Sequence, residues 1–192
     1  MLKYLLSSSA FGYYLTTQTQ TSFSIQDQSP LSLTRNAICI LYPDNNSEVT
    51  GVVSFSQDNT ESPTKIVATV RGLKPNSLHR FNIHEYGDLT NGCLTTGSIY
   101  NPLNKKRGSP LDAERNIGDL GNLKTNEKGD AYYANTDNQV KLFGENTVLG
   151  RCVVVHSDED DFGKGASVEV NTGLACGTIG LCDKFKNLPP SS

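Results

Sequence analysis

The sequence predicts an all-β fold, either a sandwich or a barrel. Short runs of β-branched and aromatic residues recur between clusters of Gly, Asn, Asp and Pro, as in strands joined by turns. Helical periodicity is hard to find along the chain. The 192 residues are enough for one such domain with a real core and an extension.

The chain divides into a polar N-terminal arm (1–34), a β domain (35–182) and a short polar tail (183–192). About eight strands are predicted in the domain. In chain order they are 36–42, 51–56, 65–72, 80–86, 130–135, 139–144, 151–156 and 174–182. Two long loops, 87–122 and 157–173, interrupt them. Long loops in a compact β domain are usually functional or inherited from a functional ancestor, so we expect any site there.

Charge and hydropathy exclude two classes of protein. The net charge is −3 and no basic stripe is present, which argues against a nucleic-acid binder. No run of 18 apolar residues is present, so no transmembrane segment is predicted. Within residues 1–26 no side chain is acidic and Lys3 alone is basic. This composition favours a degenerate mitochondrial targeting segment, with secretory or cytosolic and axonemal locations as alternatives.

Five cysteines are present: Cys39, Cys93, Cys152, Cys176 and Cys182. An odd number in a chain of this length is unlike a secreted cystine framework. One selected disulfide with three buried thiols is the expected arrangement.

Seven motifs identify a family. They are "HEYGD" (84–88), "NGC" (91–93), "YNPL" (100–103), "ERNIGDLGN" (114–122), "GRCVVVH" (150–156), "DDFGKG" (160–165) and "LACGTIG" (174–180). Their order and spacing resemble copper/zinc superoxide dismutase over residues 36–182. The resemblance implies an eight-stranded Greek-key β-barrel with two long loops. The family's chemistry transfers only where the residues match.

The resemblance also indicates which metal ligands remain. The family's paired copper histidines on one strand correspond to Asn82 and His84, the bridging histidine to Ile99, and the later copper histidine to His156. Two of the four copper ligands are therefore kept. The simplest interpretation of His84 and His156 is two hydrogen-bonded or partly exposed imidazoles. The alternative is a weak copper or zinc site formed by the two histidines, with or without Asn82.

The zinc positions correspond to Ile99, Arg107, Asn116 and Asp119, so one ligand of four remains. Isoleucine has no donor atom, and arginine is always cationic. We therefore expect no zinc site, and the sequence as a whole predicts no bound metal and no cofactor.

The family's superoxide-steering arginine corresponds to Gly173, and Lys164 is the only cation in 157–173. The attraction of an anionic substrate should therefore be weakened.

Arg107 suggests a replacement for zinc. The resemblance places Asp119 among the zinc ligands and gives Asp160 the role of linking the two metal sites. A guanidinium between them could offset both charges with bidentate bonds. The hypothesis is that Arg107 forms an internal cross-link to Asp119 or Asp160. The alternative is a simple exposed arginine.

The resemblance further implies a disulfide between Cys93 and Cys176, and a packing role for His79. It also implies a possible homodimer through the region of Tyr86, Gly87, Gly150, Ile179 and Leu181.

Because the metal ligands and the steering arginine are largely lost, the sequence predicts no catalytic residues and a pseudoenzyme. Its expected role is a structural or accessory subunit of a larger assembly, with the mitochondrion as the favoured location. The partners would be other protein subunits, bound through the arm and the tail. The first alternative is a copper-handling module that uses His84 and His156. An active superoxide dismutase is the alternative that the residues favour least.

Overall fold

The computed structural model describes residues 33–164 and 173–184. Most of the predicted N-terminal arm and of the C-terminal tail lies outside this part of the chain. Nine strands are present in the described ranges. They are β1 (Arg35–Pro43), β2 (Thr50–Gln57), β3 (Thr64–Arg71), β4 (Leu78–His84), β5 (Asp119–Lys124), β6 (Ala131–Asp137), β7 (Cys152–His156), β8 (Gly173–Thr178) and β9 (Gly180–Cys182). A single 3₁₀ turn occupies Gly92–Thr95.

The strands form a nearly closed antiparallel barrel, which confirms the predicted fold. The order around the barrel is β5-β4-β7-β8-β1-β2-β3-β6, and the short β9 pairs with β1. The chain runs β1-β2-β3 as a meander and then crosses to β4, which lies between β5 and β7. Of the described residues, none belongs to a helix long and apolar enough to cross a membrane.

Alternation along the strands builds the core. In β3, Thr64, Ile66, Ala68 and Val70 are buried, and the residues between them are more exposed. Successive strand side chains point to opposite faces, so such a strand has one face in the core and one outside it. The inward face of β1 contributes Ala37, Cys39 and Leu41 in the same way.

The predicted strands differ from the observed ones at β5 and at 139–144. β5 begins inside the segment 87–122 that was predicted as an irregular loop, where Gly121 and Asn122 obscured the strand pattern. Conversely, 139–144 is not a strand. Side chains supply hydrogen bonds to its backbone instead. Leu142 N donates to Gln57 Oε1 at 2.7 Å, and Thr64 Oγ1 donates to the Val140 carbonyl at 2.7 Å. Its apolar side chains are buried, which explains the strand-like pattern.

β4 and β7 place the candidate site on the outside of the barrel. Phe81 and Ile83 of β4 and Val153 and Val155 of β7 point into the core. The alternating residues of both strands therefore point outward. The β4–β5 and β7–β8 connections bring further side chains over this face, as the sequence predicted for its two long loops.

Candidate metal centre

His84 and His156 come together as a buried imidazole pair at the ends of β4 and β7. Their Nε2 atoms are 3.3 Å apart and the rings are stacked with centroids 5.4 Å apart. His84 is 9% exposed and His156 is 7% exposed. The structure thus brings together the two remaining copper positions.

Burial keeps both imidazoles neutral. It lowers the pKa of His84 to about 4 and that of His156 to about 2, and the guanidinium of Arg80 lowers both pKa values further. A neutral imidazole has one ring nitrogen free of a proton, which is the form that ligates metals. Each ring also has a second, fixed contact. His84 Nδ1 donates to the Gly97 carbonyl at 2.8 Å, and His156 Nδ1 lies 3.2 Å from Arg80 Nη2.

Asn82 lies two residues before His84 on the same outward face of β4. Its amide nitrogen donates to the Gly118 carbonyl at 3.4 Å. Its side-chain oxygen is buried and accepts no hydrogen bond from the described residues. A buried acceptor without a partner costs about 1–3 kcal/mol, so a bound ion that this oxygen contacts would remove that cost. Asn82 is therefore a candidate third donor beside the imidazole pair.

The zinc positions do not form a zinc site. The Arg107 guanidinium occupies the space between Asp119 and Asp160. Its Nε donates to Asp119 Oδ1 at 2.8 Å, and its Nη2 donates to both carboxylate oxygens of Asp160 at 2.7 Å. The other Asp119 oxygen accepts the backbone N–H of Gly108 at 3.0 Å. Both oxygens of the one remaining ligand are therefore already engaged.

The other two zinc positions add no donors. Ile99 forms a backbone bridge opposite His84, and its side chain is apolar. Asn116 is buried, and its amide nitrogen can donate to the Lys105 carbonyl at 2.8 Å. Zinc needs about four N, S or O donors around one point. These residues do not supply them, so zinc does not fit at the family's zinc positions in this chain.

The charged groups around Arg107 compensate one another without a metal ion. Asp119 is fully buried and Asp160 is 2% exposed, whereas the Arg107 side chain is 19% exposed. Burial raises the pKa of Asp119, and the Arg107 charge opposes that shift. The guanidinium joins the β4–β5 connection, which carries Arg107, to the β7–β8 connection, which carries Asp160.

Cys93 and Cys176, the predicted disulfide partners, are adjacent. The structure has them as free thiols, with their sulfur atoms and a carboxylate oxygen of Asp44 within 4.8 Å of one another. Asp44 also accepts the backbone N–H of Cys93 at 2.6 Å. Such a group of donors could hold a metal ion, and two neighbouring thiols could equally be oxidised to a disulfide. The disulfide stays a prediction. Cys39 and Cys152 are buried thiols, and Cys182 is half-buried.

The remaining predicted residues have clear positions. Gly173 begins β8, and a Cβ atom there would lie 2.6 Å from the Cβ of Cys93. Any side chain at this position would therefore meet the Cys93 side chain. His79 is buried, and its Nδ1 donates to the His156 carbonyl at 3.0 Å, which is a packing contact.

Arg80 is the residue that the sequence reasoning missed. It is 2% exposed and contacts both His156 and Asp158. Strand alternation offered a signal, because Arg80 precedes Asn82 by two residues and must share its face. The sequence alone could therefore have placed the Arg80 cation on the strand face that carries the metal ligands.

Comparisons with known proteins agree with the motifs. The family model for copper/zinc superoxide dismutase matches residues 49–179. A superoxide dismutase [Cu-Zn] of Yarrowia lipolytica is 43% identical over 151 residues, 76% of this chain and 97% of that protein. One of Onchocerca volvulus is 41% identical over 148 residues, 77% of this chain and 91% of that protein. Superoxide dismutase [Cu-Zn] 5 of Dictyostelium discoideum is 43% identical over 152 residues, 76% of this chain and 97% of that protein.

These relatives overturn two predictions. The chain was expected to be a pseudoenzyme and an accessory subunit of an assembly, because most family ligands are replaced. That expectation is wrong, since relatives that align over nearly their whole length carry the enzyme's name. The replaced ligands were given too much weight against a scaffold and a histidine pair that are kept. The chain is a member of the copper/zinc superoxide dismutase family.

Proposed function

We propose that this protein is a superoxide dismutase that works with copper alone. His84 and His156 would hold its copper, with the side-chain oxygen of Asn82 as a third donor. The expectation of no bound metal is thus retained for zinc and revised for copper. The observation that carries the proposal is the buried imidazole pair, and the names of the relatives supply the substrate.

The spacing of the pair suits a metal ion. Imidazole nitrogens bind such ions at about 2.0 Å, so two nitrogens that share one ion are at most about 4 Å apart. The Nε2 atoms of His84 and His156, which are 3.3 Å apart, satisfy this condition. Imidazole nitrogen is a donor that copper accepts readily. A copper ion could therefore bind with little movement of either strand.

Copper, when bound, supplies the one-electron redox chemistry that disproportionation of superoxide requires. The protein's own contribution is to hold the donors. The Gly97 carbonyl fixes the ring of His84 through Nδ1. The Thr96 hydroxyl lies 3.1 Å from the same nitrogen and supports that orientation. Second contacts of this kind orient metal-binding histidines in general.

Arg107 takes the structural place of zinc in this proposal. Its bonds to Asp119 and Asp160 link the two connections that cover the site. The link is permanent, whereas a metal link depends on metal supply. This part of the proposal predicts that zinc is neither bound nor required.

Attraction of the substrate is expected to be weak. Gly173 carries no charge, and the positive charges nearest the pair are already paired with carboxylates, Arg80 with Asp158 and Arg107 with Asp160. Electrostatic steering raises association rates and is sensitive to salt. The proposed activity should therefore be slower than diffusion and nearly independent of ionic strength.

The test compares superoxide consumption by copper-loaded wild type and by His84→Gln and His156→Gln variants. The matched control is His79→Gln, which replaces a histidine whose Nε2 does not point toward the pair. We expect activity in wild type and control, and its loss with the copper in both pair variants. Activity that survives in either pair variant, or none in copper-loaded wild type, would contradict the proposal.

A homodimer is part of the same proposal. Tyr86 is 58% exposed and Leu181 is 63% exposed. Hydrogen bonds connect the chain segments that carry these two residues. Thr178 Oγ1 donates to the Gly87 carbonyl at 2.9 Å, and Gly150 N donates to the Ile179 carbonyl at 2.9 Å. Ile179 itself is buried, so its side chain belongs to the core. Exposed apolar side chains that lie together on a protein surface are typical of protein–protein interfaces.

Sedimentation of wild type and Leu181→Asp would test the dimer. The control is Leu111→Asp, since Leu111 is 93% exposed and lies in the β4–β5 connection. We expect a dimer for wild type and for the control, and a monomer for Leu181→Asp. A monomeric wild type would end this part of the proposal.

A further inference from the structure

Arg80 is a buried cation that contacts the histidine pair from the side opposite to the proposed copper position. Its Nη2 lies 3.2 Å from His156 Nδ1, and the same group forms an ion pair with Asp158 at 3.1 Å. The backbone N–H of Arg80 also donates to the Asp158 carbonyl at 2.7 Å. Two contacts to Asp158 therefore fix the guanidinium against the imidazole.

These contacts determine which nitrogen of His156 carries the proton. A guanidinium has donors only, so His156 Nδ1 must accept the hydrogen bond from Arg80. In a neutral imidazole, one nitrogen accepts and the other carries the hydrogen. The proton of His156 is therefore on Nε2, the atom that faces His84.

His84 has the opposite tautomer. The Gly97 carbonyl can only accept, so His84 Nδ1 carries the proton and donates to it at 2.8 Å. The Thr96 hydroxyl donates to the Cys93 carbonyl at 2.8 Å, which leaves its oxygen free to accept from His84 as well. His84 Nε2 is then without a proton. The 3.3 Å contact is a hydrogen bond from His156 Nε2–H to His84 Nε2.

We propose that Arg80 is a positioning residue that holds His156 in the Nε2–H tautomer and thereby opposes copper entry between the two histidines. This inference rests on the proposed function, in which copper binds both Nε2 atoms. For that, the His156 proton moves from Nε2 to Nδ1. Because Nδ1 then carries a hydrogen, it can no longer accept from Arg80, and the Arg80 contact must break. Copper binding therefore competes with the Arg80–His156 hydrogen bond.

The tautomers can be read directly in the metal-free protein. The ¹⁵N chemical shifts of a neutral imidazole differ strongly between the protonated and the bare nitrogen. The chain has three histidines, so few signals need assignment. We expect His156 with its proton on Nε2 and His84 with its proton on Nδ1. A proton on His156 Nδ1 in the wild type would overturn the inference, whatever the copper experiments show.

The second measurement uses two variants of Arg80 and copper competition against a chelating indicator. Arg80→Met keeps the side-chain stem and removes the donors, whereas Arg80→Lys keeps a charged donor. We expect His156 in Arg80→Met to shift toward the Nδ1–H tautomer, and its copper affinity to rise at least tenfold. Arg80→Lys should stay near the wild type in both readouts. An unchanged tautomer or an unchanged copper affinity in folded Arg80→Met would overturn the inference.

The two proposals fail in different ways. If copper never binds, the proposed function fails, and the wild-type tautomers still report on Arg80. If copper binds and the tautomers differ from those expected, only the role of Arg80 fails. Should Arg80→Met not fold, the ¹⁵N spectra of the wild type and of Arg80→Lys still test the inference, because a proton on His156 Nδ1 in either protein would overturn it.

Discussion

Arg107 lies between two carboxylates that are almost completely buried, and its contribution can be separated from any metal. Removing one partner of a buried ion pair leaves an uncompensated charge and costs about 3–5 kcal/mol. We expect Arg107→Met to lower the free energy of unfolding by about this amount, discounted somewhat because the Arg107 side chain is 19% exposed. Urea unfolding in the presence of a chelator would measure it.

A matched control is available in the same connection. Lys105 forms an exposed ion pair with Glu114, and such pairs contribute about 0–1 kcal/mol. Lys105→Met should therefore change stability little. Equal effects of the two substitutions would show that Arg107 does not cross-link the loops.

The histidine pair gives the metal-free protein a distinct pH dependence. The pKa values of His84 and His156 are lowered to about 4 and about 2, mainly by burial, while an unfolded chain takes up protons near pH 6.5. Stability is therefore fully present above pH 6.5. It falls as the pH drops, down to about 4 for His84 and about 2 for His156, by about 1.4 kcal/mol per pH unit for each histidine.

Urea midpoints of the metal-free protein at pH 7.5, 6 and 5 would test this expectation. The comparison is a variant with both His84 and His156 changed to Gln. Wild type should lose stability more steeply below pH 6.5 than the variant. Parallel curves would mean that the buried pair takes up protons in the folded state.

At the scale of elements, β8 begins where Cys93 of the 3₁₀ turn packs against the strand. A Cβ atom on Gly173 would lie 2.6 Å from the Cβ of Cys93, which is too close without a backbone shift. Overpacking of this kind costs about 1–3 kcal/mol. We expect Gly173→Ala to lower the melting temperature measurably. Gly180→Ala is the control, because nothing lies within 4 Å of a Cβ atom there. Equal melting temperatures for Gly173→Ala and Gly180→Ala would contradict the close contact between Gly173 and Cys93.

The same contact between the turn and β8 is expected to become covalent on oxidation. A disulfide between Cys93 and Cys176 closes a long loop, which would stabilise the fold by about 4 kcal/mol in the chain-entropy account. Peptide mapping of oxidised protein should find these two cysteines linked, and reduction should lower the melting temperature. Cys182→Ser is expected to leave both results unchanged. Linkage of Cys152 to either partner instead would contradict the prediction.

At the scale of the whole molecule, alternation and turn residues predicted an all-β domain because they report burial directly, and the resemblance carried by the seven motifs supplied the eight-stranded Greek-key barrel. The alternation pattern failed at β5, where glycine and asparagine hide a strand, and at 139–144. The side chains of Gln57 and Thr64 stabilise that last segment, and no local pattern reveals such distant hydrogen bonds.

The site was partly predictable for a similar reason. The motifs placed His84, His156 and Arg107 in one region. They could not give the burial of Asn82 or the contact of Arg80 with His156, which depend on how β4 meets β7. Counting replaced ligands then led to the wrong conclusion about activity, because a count does not show that the remaining donors still converge.

The most direct test of the account is the rate of superoxide decay per bound copper, measured on protein equilibrated with both copper and zinc. We predict about one copper per chain, no zinc, and a decay rate that rises in proportion to the copper bound. Full copper occupancy without catalysed decay would contradict the proposed function. Zinc bound at Asp119 would contradict the role of Arg107, whose guanidinium occupies that position.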